Sequence, residues 1–390
     1  MRSAKLTHLL ALAIALASTV STAAAQQEPP RRLDFGSSAD TLAAVRAEPR
    51  TPTDRGVRNA FVRDQTILGL AVYGPSFAAM VGDNGVTASA GYLVMAGGTF
   101  FAAAEASRRL EISEAQQLLS TRMAWRGAIS ALYVAASGEG SSNSSTNGAA
   151  TLIGGLGGTV AGMLVGNGLT AGEAVATTFG HDLAFASAAA LAYAADPDIN
   201  DDRGISDQSR AILLTVSGWT GYALGRLYAG NAPYNVTAGD VQSLWLGAAI
   251  GATAAGTAIV ESEPSDKAVA VAMLGGGLLG TWAADRFLVR RFDHTRSEGN
   301  MLALGGVAGG LMGVGVGVLV AGEAEREGAI TLGFATLGAI GGVVMTERYL
   351  EPRGDEGRRL GLGQLTIDPV GLASAAAGVH GRHSLLRFTF

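Results

Sequence analysis

The sequence predicts an all-α fold, a Gly/Ala-rich multi-helix bundle of about ten antiparallel helices followed by a short C-terminal β element. Glycine accounts for 56 of the 390 residues, which is about twice its ordinary share. Only 16% of the residues are charged, against about a quarter in soluble domains. Beyond residue 56, long apolar segments alternate with short polar breaks, which is typical of successive helices.

The N terminus has the three parts of a secretory signal peptide. Arg2 and Lys5 supply positive charge, residues 9–17 form a short apolar core, and three alanines precede Gln26. The apolar core is too short to span a bilayer comfortably, which favours cleavage over retention. We therefore expect residues 1–25 to be removed and the protein to be exported; the alternative is an ordinary hydrophobic first helix.

Composition excludes several classes of function. The chain has no cysteine, so disulfides, thiolate catalysis and cysteine metal sites are absent. A net charge of −5 gives no reason to expect nucleic acid as a partner. No Gly-Lys-Ser/Thr sequence exists for a phosphate-binding loop, and no nucleophile–base arrangement is recognisable. We expect no enzyme activity and no cofactor, with weakly bound Ca²⁺ as the one candidate.

The mature chain divides into three parts. Residues 26–56 are polar and rich in proline, which predicts a flexible lead-in. Residues 57–350 form the helical bundle, and residues 351–390 form a C-terminal tail. The apolar segments predict helices over residues 57–82, 88–109, 113–137, 148–166, 170–195, 205–230, 237–260, 266–292, 295–321 and 327–350.

Three of the predicted helices begin with the same local pattern. Thr170, Thr237 and Thr295 each precede an acidic residue by three positions, as in a capping box. Each pattern also lies between two glycine-rich helices. This recurrence predicts a degenerate helical-hairpin repeat; the alternative is chance recurrence of a common helix cap.

Glycine recurs at every fourth position in two helices. Such spacing places the glycines on one inclined stripe. Each interior glycine costs about 0.8–1.0 kcal/mol of helix propensity relative to alanine, so the pattern predicts close contact between helix backbones, as in small-xxx-small membrane packing. The two ladders are Gly154, Gly158, Gly162, Gly166 and Gly305, Gly309, Gly313, Gly317.

Segment length and the absence of charge favour membrane embedding. Residues 148–172, 241–260, 299–322 and 328–346 contain no charged residue, and a spanning helix needs about 17–25 residues. The alternative is a buried Gly/Ala core in a large soluble bundle.

Charge differs between the two ends of the predicted bundle. If the helices alternate in direction, one end carries acidic loops and the other is rich in arginine. Arginine-rich ends face the cytoplasm in inner-membrane proteins. A cleaved export signal would instead deliver the mature N terminus, which lies at the arginine-rich end, outward. Either this orientation rule is overridden in the protein, or its destination is not the inner membrane.

The C-terminal tail contains two candidate strands, residues 360–367 and 383–390. In the second, Leu386, Phe388 and Phe390 share one face. A terminal phenylalanine after alternating apolar residues resembles the end signal of outer-membrane barrel proteins, over about eight residues only. The resemblance favours the outer membrane over the inner membrane or periplasm; an edge hairpin packed on the bundle is the alternative.

An acidic loop follows the fifth predicted helix. It resembles a Ca²⁺-binding loop, with oxygen ligands at positions 1, 3, 5 and 12, but it lacks the turn glycine and the bidentate glutamate. We favour an ordinary solvated loop over a weak metal site. The candidate ligands are Asp196, Asp198, Asn200 and Asp207.

Three ionisable residues interrupt the apolar character of the same helix, namely Glu173, His181 and Asp182. Ionisable groups at membrane depth often mark a transport pathway. His181 and Asp182 are adjacent, and adjacent residues on a helix do not face each other, so we do not expect them to form a dyad by themselves. The favoured interpretation is a pair of buried polar groups bonded to neighbouring helices.

The sequence thus predicts an exported, membrane-associated helical bundle with a structural or scaffolding role. Its expected partners are membrane lipid and, as further candidates, a second copy of itself or another envelope protein. One alternative is a multi-span transport or pore protein that uses the intramembrane polar residues. Another is a soluble periplasmic scaffold with a weak calcium loop.

Overall fold

The computed structural model describes residues 55–82, 84–138, 143–195, 205–260, 264–322 and 327–350, and two short strands beyond them. These residues form ten helices, as the sequence predicts. Helix α1 contains a π-helical turn, Gly69–Tyr73, between Arg55–Leu68 and Gly74–Val81; α8 ends in another, Asp285–Val289, after Asp266–Ala284. The other helices are α2 Gly85–Arg109, α3 Glu114–Ala136, α4 Ser144–Val165, α5 Ala171–Ala195, α6 Asp207–Asn231, α7 Ala238–Val260, α9 Arg296–Ala321 and α10 Glu327–Leu350.

Asparagine caps explain the largest differences between predicted and observed helix starts. Helix α2 begins three residues earlier than predicted because the Asn84 side chain accepts from the Thr87 amide. Helix α4 begins four residues early because Asn143 caps it in the same way through the Ser145 amide. Asparagine is among the strongest N-cap residues, and its side chain satisfies an otherwise unpaired amide.

The three predicted capping boxes are confirmed. Thr170 and Glu173 exchange hydrogen bonds of 2.9 and 3.2 Å between the backbone amide of one and the side chain of the other. The Thr237 and Thr295 boxes have the same reciprocal geometry. A fourth box, which was not predicted, lies at the start of α3, where Ser113 pairs with Gln116. Every second helix from α3 to α9, namely α3, α5, α7 and α9, therefore begins with a capping box.

These four helix starts lie at one end of the bundle, where each contacts a neighbouring element. The Gln116 side chain donates to the carbonyl of Met163 near the end of α4, and Gly172 packs against Val236 just before the Thr237 box. The Thr237 hydroxyl donates to the His294 carbonyl beside the Thr295 box. The start of α5 therefore meets the start of α7, and the start of α7 meets that of α9, in a similar way at this end, as expected for repeated units.

Glycine brings the two helices into backbone contact in four hairpins, α3–α4, α5–α6, α7–α8 and α9–α10. In α3 and α4, a Cβ atom at Gly154 would overlap the carbonyl oxygen of Gly127. The other members of that ladder face Met123, Leu119 and Gln116 in the same way. Equivalent pairs join α5 to α6 through Gly180 and Gly221, α7 to α8 through Gly247 and Gly280, and α9 to α10 through Gly309 and Gly338.

The chain divides into two compact units. The described part of the larger unit comprises α1–α8 and the first turn of α9. In this unit α3 and α5 are the most buried helices, since α5 has an unbroken buried run from Ala174 to His181. A core of aliphatic and aromatic side chains from α5 to α8, including Phe179 and Leu244, packs around this run.

The described part of the smaller unit comprises the rest of α9, α10 and the two strands. Gly305, Gly309, Gly313 and Gly317 all face α10, where a Cβ atom at any of them would lie too close to α10 atoms. The strands Gln364–Ile367 and Leu386–Thr389 pair antiparallel, with Leu365 opposite Phe388. The remainder of the tail, like residues 1–54, lies outside the described residues.

Candidate functional site

The most polar part of the bundle interior is a cluster contributed by α3, α5 and α6. Arg122 and Arg126 lie one turn apart on α3, His181 and Asp182 lie on α5, and Tyr222 lies on α6. Both arginines point toward α5, where Arg122 donates to the Thr178 hydroxyl at 2.7 Å. We call these five residues the α3–α5–α6 polar cluster.

An arginine–aspartate ion pair is the centre of this cluster. Arg126 Nε donates to Asp182 Oδ1 at 2.6 Å, and Nη2 donates to Oδ2, so the contact is bidentate. The side chains are 20% and 24% exposed. A bidentate guanidinium–carboxylate contact fixes both groups in orientation and is the geometry that best offsets removal of two charges from water.

His181 also bonds to this aspartate, which corrects the expectation that adjacent residues would not pair. Its Nδ1 lies 3.0 Å from Asp182 Oδ1. Because a carboxylate only accepts, Nδ1 carries the hydrogen. The helix separates the two Cβ atoms by about 100°, but the Asp182 carboxylate, which Arg126 of α3 holds, lies within reach of His181 Nδ1.

The opposite edge of the imidazole faces α6. His181 Nε2 is buried and has no hydrogen-bond partner among the described residues. The ring lies 4.6 Å from the Tyr222 ring, and a Cβ atom at Gly218 would come within 2.8 Å of Nε2. Glycine at 218 therefore leaves the space that the imidazole occupies. Since Nδ1 is the donor, Nε2 is left as a buried acceptor.

Glu173 lies apart from this cluster. Its carboxylate accepts from the Thr170 amide in the capping box at the start of α5, two helical turns before His181. The structure thus brings together two of the three predicted intramembrane polar residues. It adds Arg122, Arg126 and Tyr222, which were not predicted as site residues. The signal available in the sequence was two arginines four residues apart in an otherwise apolar helix.

The candidate calcium ligands are placed only in part. Asp196, Asp198 and Asn200 lie outside the described residues. Asp207 is the first residue of α6 and is 70% exposed, with its carboxylate 3.6 Å from Arg210 Nη1. Among the described residues, no three His, Cys, Asp or Glu side chains are grouped to bind a metal.

A second polar cluster lies at the end where the capping boxes meet. Asp285, the first residue of the π-helical turn of α8, accepts from the Tyr228 hydroxyl at 2.9 Å and from Arg290 Nε at 2.8 Å. Tyr234 also donates to it. With three donors on one carboxylate, this cluster joins α8 to the end of α6 and fixes the π-helical turn.

No protein family matches this chain, and neither does any curated protein or solved structure.

Proposed function

We propose that this protein is an integral membrane protein of the cell envelope, in which glycine-packed helical hairpins form a structural scaffold. The observation that carries the proposal is an apolar surface on the outside of the bundle. Six helices, α2, α4, α7, α8, α9 and α10, are long and apolar enough to cross a membrane. Only 11–28% of the residues in their most apolar windows are buried within the protein.

Large apolar side chains cover the outer faces of these helices. Leu311 and Leu319 on α9 are 67% and 84% exposed, and Leu337 and Met345 on α10 are 67% and 70% exposed. Soluble monomers rarely expose apolar patches above a few hundred Å². Lipid tails would cover such a surface without cost, and the helices satisfy their own backbone hydrogen bonds, as a bilayer requires.

The interior supports a scaffold better than a catalyst. Arg126 bonds to Asp182, and Arg122 bonds to Thr178, so these contacts hold α3 against α5. Backbone contact at glycine fixes the separation of the helices in four of the hairpins, and close-packed interiors transmit force with little deformation. An envelope scaffold needs these properties. Export and location in the outer membrane remain parts of this proposal.

Alkaline extraction of native membranes tests the proposal. Because lipid would cover the apolar faces, the protein should stay in the membrane pellet after carbonate or urea washing and should be released by detergent. Recovery in the wash supernatant would contradict membrane embedding.

A paired substitution gives the same test at residue level. Leu311→Asp places a charge at the middle of the exposed face of α9, which costs about 2.5–3.5 kcal/mol in a bilayer but about 0.5 kcal/mol or less on a water-facing surface. Gln208→Asp, at an exposed position in the first turn of α6, is the matched control. Equal folded yields of the two variants in membranes would argue for a soluble bundle.

A second candidate function is ion or proton transport, and the unpartnered acceptor His181 Nε2 favours it. If a transport path crosses the bundle here, purified protein in liposomes should conduct ions. Asp182→Asn should then abolish the flux while Glu173→Gln, in the capping box, leaves it in place. If liposomes that contain the wild-type protein show no ion flux, transport is excluded and the scaffold function remains.

A further inference from the structure

The end of α8 combines an apolar helix face, aromatic rings and arginines in that order. Trp282 and Phe287 are 60% and 52% exposed, and their rings meet edge to face at 6.2 Å. The guanidinium of Arg291 lies 5.7 Å from the Phe287 ring centre. From Trp282 to Arg291 the outer surface of one helix end therefore changes from apolar through aromatic to cationic.

The π-helical turn contributes to this arrangement. Its wider turn is closed by the Arg290 amide, which donates to the Asp285 carbonyl at 3.0 Å. Arg286 and Phe287 lie exposed within the turn, while Asp285 faces inward to Tyr228. A single carboxylate thus anchors the turn from inside and leaves its outer face to the aromatic and cationic groups.

Two of the arginines at this end have unneutralised charge. Arg290 pairs with Asp285, whereas Arg286 and Arg291 are exposed and form no ion pair within the described part of the chain. Exposed, unpaired cations at the edge of an apolar surface indicate that an anionic partner lies beside that edge.

Helix α2 repeats the combination at the same end of the larger unit. Phe101 is 71% exposed on its outer face, and Arg108 and Arg109 follow two turns later with 75% and 77% of their side chains exposed. Both arginines lie within ion-pair distance of the single carboxylate of Glu105, at 4.0 and 2.6 Å, so this group has one positive charge in excess. The loop after α2 packs with Phe61 and with Met163, which is near the end of α4. Contacts at the capping boxes then lead from the end of α4 to His294, which follows α8. The ends of α2 and α8 therefore lie at the same end of the larger unit.

We propose that this end of the larger unit is a binding surface for the phosphate headgroups of anionic phospholipids. The surface consists of Phe101, Arg108 and Arg109 on α2 and of Trp282, Arg286, Phe287 and Arg291 at the end of α8. The proposal rests on membrane embedding, because the exposed apolar faces of α8 and α2 would place the aromatic rings at the bilayer interface and the arginines at the headgroups. Aromatic side chains concentrate at membrane interfaces, and guanidinium groups bind phosphate through paired hydrogen bonds. A soluble acidic protein would leave the rings and the adjoining apolar faces without a partner.

Thermal melting of the purified protein in neutral detergent tests this surface. Short-chain phosphatidylglycerol should raise the melting temperature by mass action, more than phosphatidylcholine at equal concentration. The increment should fall at high salt, because the contact is ionic and exposed. Each of Arg286→Gln and Arg291→Gln should weaken phosphatidylglycerol binding about fivefold and leave melting in phosphatidylcholine unchanged.

Lys267→Gln is the matched control. It removes an exposed positive charge from the other end of the same helix and should leave phosphatidylglycerol binding unchanged. A phosphatidylglycerol increment that is equal in wild type and in the Arg286→Gln/Arg291→Gln variant would overturn the proposal, as would an equal increment from inorganic phosphate alone. A protein that proves soluble without detergent would instead overturn membrane embedding, which separates the two failures.

Discussion

Replacing Gly309 or Gly313 by leucine is expected to destabilise the α9–α10 hairpin by about 1–3 kcal/mol or more, the usual cost of overpacking. A Cβ atom at Gly313 would overlap the carbonyl oxygen of Phe334, and one at Gly309 would overlap that of Gly338. Both obstacles are backbone atoms, so relief requires one helix to move away from the other. Thermal melts in detergent measure the effect.

A third glycine on the same helix supplies the control. A Cβ atom at Gly315 meets nothing within 4 Å, so only helix propensity acts there, and Gly315→Ala should stabilise the helix by about 0.8–1.0 kcal/mol. Leucine at Val318, which is 48% exposed, should have little effect. If Gly309→Leu and Gly313→Leu melt at or above the wild-type temperature, glycine does not set the helix separation.

The second large effect is expected at the ion pair of α3 and α5. Asp182→Asn should cost about 3 kcal/mol of stability, because it leaves the Arg126 guanidinium mostly buried without its counter-charge. Asp207→Asn is the control: the same substitution removes an exposed, loosely paired aspartate on α6 and should change stability by about 0.5 kcal/mol or less. Chemical denaturation of the two variants gives the comparison.

A double-mutant cycle identifies the cause of that loss. In the Asp182→Asn background, Arg126→Met removes the uncompensated charge and should restore much of the stability, while the amide introduced by Asp182→Asn keeps an acceptor for His181. Additive losses in the double variant would mean that the two residues do not act as a pair.

Local features of the sequence determined the number of helices and most of their limits. Each of the signals used acts within a few residues, so each can be recognised from residues that are neighbours in the sequence. These signals are the apolar segments, the polar breaks and the reciprocal caps at Thr170, Thr237 and Thr295. Helix geometry alone also places the glycines of each ladder on one stripe of the helix surface. The asparagine caps at 84 and 143 were not predicted because the first residues of their helices, Gly85-Val86-Thr87 and Ser144-Ser145-Thr146, do not yet show the helical spacing of apolar residues.

Tertiary structure alone decided which backbones the glycines meet and how the interior polar groups pair. Arg126 and Asp182 lie 56 positions apart, and helical periodicity specifies the face of each residue but not the helix opposite it. The His181–Asp182 contact depends on side-chain rotamers that Arg126 holds in place. The π-helical turn of α8 depends on Tyr228 and Tyr234, which bond to Asp285 from outside that helix. Contacts between distant segments form only when the helices pack. The helices could therefore be predicted from the sequence, whereas the polar cluster could be found only in the folded structure.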